Sequence, residues 1–180
     1  MTDARIRRAH RRDASGILDI HNEVVTRSTA IFDILPRTLE EQVAWVEEHS
    51  GAHPALVAEE GSAGDAESED TGGGNAAGDI VGYASLSPFR ARPAYAPTVE
   101  DSVYVREDRQ GAGIGRALLE EILVLATDGG FHSVIARIAD HNAGSIALHT
   151  TCGFEVVGVE REVGRKFGRW LDVVEMQRLL

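Results

Sequence analysis

The run Val103-Tyr104-Val105-Arg106-Glu107-Asp108-Arg109-Gln110-Gly111-Ala112-Gly113-Ile114-Gly115-Arg116-Ala117-Leu118-Leu119 constrains this chain more than any other stretch. It passes from a strand-like apolar run through a charged turn and three alternate glycines into an apolar helix. Glycines let the backbone take φ > 0 and approach a ligand closely, and the unpaired N–H groups of the next helix point at whatever lies before them. The helix dipole adds roughly half a positive charge there, so an anion is favoured, with Arg116 and Arg109 as candidate charge-assisted contacts. By itself the run fits a tight strand-to-helix connection equally well. No Lys-Ser/Thr follows the last glycine, which excludes the nucleoside-triphosphate P-loop. Gly111-x-Gly113-x-Gly115 also misses the third glycine position of the dinucleotide fingerprint.

Composition narrows the remaining classes. The 180 residues, 43% of them hydrophobic, suit a single domain over 1–180 with a proper core. Cys152 stands alone, so no internal disulfide is available. The N-terminal residues Asp3, Arg5, Arg7 and Arg8 offer no secretory-type apolar run, and Ile122 to Ala126 is too short to cross a membrane, so a soluble cytoplasmic protein is expected. A net charge of −11 argues against a nucleic-acid partner. Eighteen basic residues, all arginine except Lys166, against 29 carboxylates suggest salt adaptation; tolerance of molar salt is the corresponding expectation. The Arg5, Arg7, Arg8, Arg11, Arg12 run reads as a solvated strand edge and helix start.

Hydrophobic periodicity sets out the elements. A strand over Arg5 to Ala9 precedes a helix capped by Asp13, with Ile17, Ile20 and Val24 inward. Residues 28–37 read as a loop, and Thr38-Leu39-Glu40-Glu41 as a capping box opening a second helix with Val43 and Val46 inward. Strands follow at Ala55 to Ala58 and Ile80 to Ser87. Between them, residues 61–79 carry no large apolar side chain and read as a mobile acidic, glycine-rich insertion. Thr98 to Arg106 is a strand, Gly113 to Asp128 a helix with Ile114, Leu118, Ile122 and Leu125 on one face, His132 to Ile138 a strand, and Asn142 to Thr151 a short helix. Two strands, Glu155 to Arg161 and Leu171 to Leu179, close the chain. This order predicts an α+β fold, a mixed sheet with helices on both sides.

Gln110-Gly111-Ala112-Gly113-Ile114-Gly115, after Val103-Tyr104-Val105 and before an amphipathic helix, resembles the pyrophosphate loop Q/R-x-x-G-x-G/A of the GCN5-related N-acetyltransferases (GNAT), which bind acetyl-CoA. Amine acetylation needs a thioester, a neutral amine, and donors for the developing negative charge. Glu100, in Pro97-Thr98-Val99-Glu100-Asp101-Ser102, is the candidate for taking the amine proton, and strand alternation sets it opposite Val99 and Val103 unless a bulge intervenes. On pattern alone it reads first as an ordinary exposed strand carboxylate, and only the family resemblance reverses that. His149, in Leu148-His149-Thr150-Thr151-Cys152-Gly153-Phe154, stands where many GNAT enzymes have a tyrosine. His149-x-x-Cys152 has no second pair at ligand spacing, so no metal is expected. Arg90 and Arg92 suit a carboxylate or phosphinate grip and equally a solvated loop beside Pro88 and Pro93.

Glu100, Leu148-His149-x-x-x-Gly153-Phe154, Thr29-Ala30-Ile31-Phe32 and Val163-Gly164-Arg165-Lys166-Phe167-Gly168-Arg169-Trp170-Leu171-Asp172 together resemble the phosphinothricin and methionine sulfoximine/methionine sulfone acetyltransferase branch, over nearly the whole chain except 61–79. The resemblance implies a GNAT fold with a central, mostly antiparallel mixed sheet, and Glu100 as base with His149 as its catalytic partner. It implies cofactor contacts from Val103, Tyr104, Val105, Gly111, Ala112, Gly113, Ile114, Gly115, Arg116 and Asn142. The substrate contacts it implies are Arg90, Ala91, Arg92, Glu100, Asp101 and Ser102, with Phe32 as a pocket wall or a core aromatic. It also implies acetyl-CoA as cosubstrate, a homodimer, and a small amino-acid analogue as the amine. A peptide N-terminus or polyamine as substrate, and a non-catalytic CoA sensor, remain open readings. The acidic composition departs from the family and bears on the native substrate.

Overall fold

The computed structural model describes residues 4–61 and 78–180. Its strands are β1 (Arg5–Arg8), β2 (Ala55–Glu60), β3 (Asp79–Pro88), β4 (Thr98–Val105), β5 (Ser133–Ala139), β6 (Glu155–Lys166) and β7 (Arg169–Leu179). Its helices are α1 (Ala14–Arg27), α2 (Leu39–Glu48), α3 (Ile114–Asp128) and α4 (Ala143–Thr151). The strands form a single sheet in the order β1-β2-β3-β4-β5-β7-β6, in which only β4 and β5 run parallel. This is the mixed, mostly antiparallel α+β architecture expected.

The two faces of the sheet are covered by different helices, following the alternation of its strands. On one face α3 buries Leu118, Leu119 and Ile122 against Val81, Val99, Val134 and Met176. Each such side chain contributes about 1.5–3 kcal/mol when withdrawn from water. Ile146 and Leu148 of α4 join this layer. On the other face Ile17 and Ile20 of α1 and Val46 of α2 meet Val57, Ile80 and Tyr83. The α2 start is the capping box read from sequence: Glu41 N–H donates to Thr38 Oγ1 at 3.2 Å and Thr38 N–H to Glu41 Oε2 at 2.7 Å.

At five points the structure differs from the sequence expectation or does not describe the residues concerned. Asp13 does not cap α1 with its side chain. Its carboxylate instead turns back to accept the His10 N–H at 2.7 Å and both arms of the Arg7 guanidinium at 2.7 and 2.8 Å. Arg7 also donates to Glu59 at 2.8 Å, so this arginine belongs to a largely buried triad and not to a solvated strand edge. α1 buries Val25, with Val24 only partly covered. β6 runs five residues beyond Arg161, because its pairing with β7 shifts register at 156/158 and 160/164 and then resumes as far as Lys166↔Arg169. The acidic insertion read over 61–79 lies, at 62–77, outside the described residues.

The feature that makes a site is a parting of strands. β4 and β5 pair only from Thr98↔Ser133 to Asp101↔Ala136. β5 continues along β7 to Ala139↔Val173, while β4 continues along β3 to Val105↔Gly82. Beyond Asp101, therefore, β4 has no strand partner on its β5 side among the described residues, and a wedge opens in the middle of the sheet.

Candidate active site

A cleft of about 760 Å³ fills the wedge, reaching Val103–Val105, Arg137, Asn142 and His149 from the sheet centre and α4, and His21, Arg37 and Trp45 from the α1 and α2 side. The main chain of Ser102–Val105 forms one wall and keeps its peptide groups on that edge available for a ligand to extend the sheet.

No register shift interrupts β4, so its alternation holds. Glu100, Ser102 and Tyr104 face α1 and α2, while Val99, Asp101 and Val103 face α3 and α4. Glu100 is half-buried. Burial lifts its carboxyl above the usual range, Arg137 pulls it down, and Asp101, Glu175 and Glu160 add to the rise. Arg137 itself is ion-paired with Glu160, and Glu175 lies 3.6 Å away. Beneath Glu100's side of the cleft, the Tyr83 and Tyr104 rings pack with centroids 5.1 Å apart and planes tilted by 36°, and the Tyr83 hydroxyl lies 3.1 Å from His21 Nδ1. Burial above all, and then Arg37, lowers His21 to about 4, although Asp33 lies 3.3 Å from its Nε2.

On the opposite face His149 is buried on α4. Its Nδ1 is 2.7 Å from the Ser145 carbonyl and its Nε2 is 3.0 Å from Asp101 Oδ2. Burial opposes its charge, but the Asp101 hydrogen bond and carboxylate charge, with the Ser145 carbonyl, outweigh burial and raise the imidazole above its ordinary value. Glu100 and His149 both line the cleft, yet they approach it from opposite faces of β4, and the side chain that meets His149 is Asp101.

The glycine run leads from the open edge of β4 to the start of α3. Gly111 and Gly113 adopt φ +78° and +86°, with nothing within 4 Å of where a Cβ would stand, so their outer side is free for a ligand. Gly113 is the N-cap of α3, and the following N–H groups face the same space. Gly115 serves packing: a Cβ there would meet Leu148 at 3.4 Å and Val105 at 3.5 Å. Ala112 and Arg116 are exposed, while Ile114 is buried under the helix start. Arg116 is held by Glu120 and Arg109 by Glu60 at 2.7 and 2.8 Å, so the anion-binding capacity of the loop rests on backbone N–H groups. Asn142 caps α4 by accepting the Ser145 N–H at 3.1 Å. These features suit a long cofactor that carries amides at one end and a pyrophosphate at the other.

The substrate residues read from sequence divide. Phe32, Glu100, Asp101 and Ser102 line the cleft. Phe32 lies over Gly164, where an added Cβ would come within 2.2 Å of its ring. Arg90, Ala91 and Arg92 do not line it. They sit on the exposed turn after β3, where Arg90 stacks over the rings of Phe89 and Tyr95 at 4.7 and 5.5 Å, a pairing that draws the guanidinium away. Asp101, besides lining the cleft, is the carboxylate that meets His149. The sequence reading passed over His21, Arg37, Tyr83 and Arg137. The signal for Tyr83 is its place opposite Tyr104 in the β3–β4 pair, and for His21 its place one turn beyond Ile17 on the inner face of α1.

Residues 73–174 match the family profile of the acetyltransferase (GNAT) domain. The chain belongs to the GNAT acetyltransferase family. Across 175 residues it is 40% identical to the L-methionine sulfoximine/L-methionine sulfone acetyltransferase of Pseudomonas aeruginosa, covering 97% of this chain and 93% of that protein. It is 37% identical to a phosphinothricin N-acetyltransferase of Streptomyces coelicolor over 99% of this chain and 97% of that one. Among solved structures, a GNAT phosphinothricin acetyltransferase from Sinorhizobium meliloti in complex with acetyl-CoA superposes with a TM-score of 0.86 at 36% identity, covering 99% of this chain and 89% of that chain. Among the described residues, no helix is long and apolar enough to cross a membrane.

Proposed function

We propose that this GNAT acetyltransferase acetylates the α-amine of a small amino-acid analogue of the phosphinothricin, methionine sulfoximine or methionine sulfone kind, taking the acetyl group directly from acetyl-CoA. The observation that carries this reading is the wedge: a free β4 edge leads to an open glycine loop, and a half-buried carboxylate, Glu100, faces the opposite side of the strand. Acetyl-CoA supplies the acetyl group as a thioester already reactive toward amines. The peptide groups of Val103, Tyr104 and Val105 hold the pantetheine arm, the N–H groups from Gly111 to Arg116 hold the pyrophosphate, and Asn142 adds a side-chain contact. Glu100 takes the proton of the incoming ammonium, directly or through one water, and its raised pKa brings it nearer the working pH of a general base. Ser102 and Phe32 wall the amine side, and Arg37 and Arg137, paired with Asp33 and Glu160, line the same cleft, where a substrate carboxylate would have to compete for them.

Cys152 is buried at the end of α4 with its thiol pushed up by burial, so it is a poor nucleophile and no acyl-enzyme is invoked. A homodimer is part of this reading; exposed Val156, Val157, Val159 and Trp170 on the β6–β7 hairpin offer it an apolar surface. A cytoplasmic location and salt tolerance complete it. The test is a thiol-release assay with acetyl-CoA that offers phosphinothricin, methionine sulfone, a polyamine and a peptide N-terminus side by side, in low and molar salt. Turnover of the first two is expected. Preference for the polyamine or peptide removes the substrate assignment, and acetyl-CoA binding without turnover of any amine makes the chain a sensor.

A further inference from the structure

We propose that Asp101 is a positioning residue that holds His149 as a doubly protonated imidazolium at the apex of the wedge. Asp101 is the last β4 residue paired with β5, so the contact sits where the strands part. Both nitrogens of His149 face oxygen acceptors: the Ser145 carbonyl, which has no proton to give, and the Asp101 carboxylate. A neutral imidazole would aim a lone pair at one of them, whereas an imidazolium satisfies both. The Ser145 hydroxyl, 3.4 Å from Nδ1, is the lesser partner. The two side chains are 5% and 1% exposed, so each charge depends on the other.

Among the described residues the charges nearest this pair are engaged elsewhere: Arg178 of β7 donates to the Cys152 carbonyl at 2.5 Å. β5 contributes apolar Ala136 and Ile138 to this layer, and Phe154 at the start of β6 meets the imidazole edge-on at 5.0 Å. On α3, Arg116 and Glu120 pair with each other, and burial pushes up the thiol of Cys152, just past the end of α4. Glu100 lies on the other face of β4. The site is thereby divided: a base on the amine side, and on the cofactor side a fixed cation whose sign Asp101 sets. This inference rests on the acetyltransferase reading only for its kinetic consequence.

The experiment is an NMR titration of the free protein with labelled histidine, the His149 signals being assigned by their loss in His149→Gln. Wild-type His149 is expected to carry two ring protons at pH 7 and to titrate above the ordinary histidine value. In Asp101→Asn burial stands nearly unopposed, so the titration moves down by about one unit or more. The alkaline limb of kcat/KM follows it, and Asp101→Glu restores both in part. A neutral wild-type imidazole at pH 6, or an Asp101→Asn titration that stays in place, overturns the proposal. Should Asp101→Asn fail to fold, the wild-type spectrum decides alone. A correct titration in a protein that acetylates nothing leaves this inference standing and removes the acetyltransferase one.

Discussion

Replacing Glu100 with Gln separates a catalytic carboxylate from a structural one, because the two roles move stability in opposite directions. The change keeps the shape and removes the charge. As general base, Glu100 contributes a factor of about 10²–10⁴ to kcat. At about 1.4 kcal/mol per decade that corresponds to roughly 3–6 kcal/mol of barrier. Stability responds to the same burial with the other sign. The folded-state pKa is raised, chiefly by desolvation, so ionising Glu100 costs stability as pH rises above the ordinary carboxylate value. Glu100→Gln should therefore melt at a higher temperature than wild type at neutral pH while turning over a hundredfold or more slower. The acid limb of kcat/KM, which Glu100 sets above the ordinary carboxylate range, should vanish in the variant. Steady-state thiol release from pH 5 to 9, with thermal melts of the same samples, reads all three. A variant that is slow and also less stable, or one of near-normal rate with its acid limb intact, refutes the assignment.

Arg7→Met should cost about 3–5 kcal/mol in urea denaturation, because it strands Asp13 and Glu59 in a largely buried setting; a loss below about 1 kcal/mol would mean the triad is solvated. Buried His21, lowered to about 4, binds its proton less readily when folded than when unfolded, so stability is fully present above pH 6.5 and is lost as pH falls toward 4. The loss should reach about 3 kcal/mol, and the difference between wild-type and His21→Gln urea midpoints across that window isolates it; parallel curves would contradict it. Gly113→Val forces a β-branched residue into φ +86° and into the space before α3. It should raise the KM for acetyl-CoA at least tenfold with little change in kcat, and an unchanged KM would remove the loop from cofactor binding.

Periodicity and caps made most elements legible, because α3 and the central strands carry unbroken patterns and Thr38/Glu41 is a local signal. The end of β6 was hidden because its register shifts twice against β7 and Glu162 takes φ +52°, which breaks the alternation a strand reading depends on. At the site, the side of β4 on which Glu100 lies follows from strand alternation, and the glycine loop is legible from its spacing together with its flanking strand and helix. The partner of His149 does not, since Asp101 lies 48 residues away and only the packing of α4 on β4 joins them. Arg90 and Arg92 looked like an anion grip because their neighbourhood in sequence hides Tyr95, whose ring, with that of Phe89, takes up the guanidinium of Arg90. Arg7 is hidden in the same way, because only contacts to Asp13 and Glu59 single it out from its arginine run.

The central claim is that the amine and the cofactor meet in the wedge from opposite faces of β4. A co-crystal structure with CoA and methionine sulfone tests it most directly. The account predicts the pyrophosphate on the N–H groups from Gly111 to Arg116, the pantetheine along Val103–Val105, and the α-nitrogen within about 3 Å of the Glu100 carboxylate or one water away. An amine bound on the His149 side, or a cofactor that leaves the β4 edge uncovered, would contradict it.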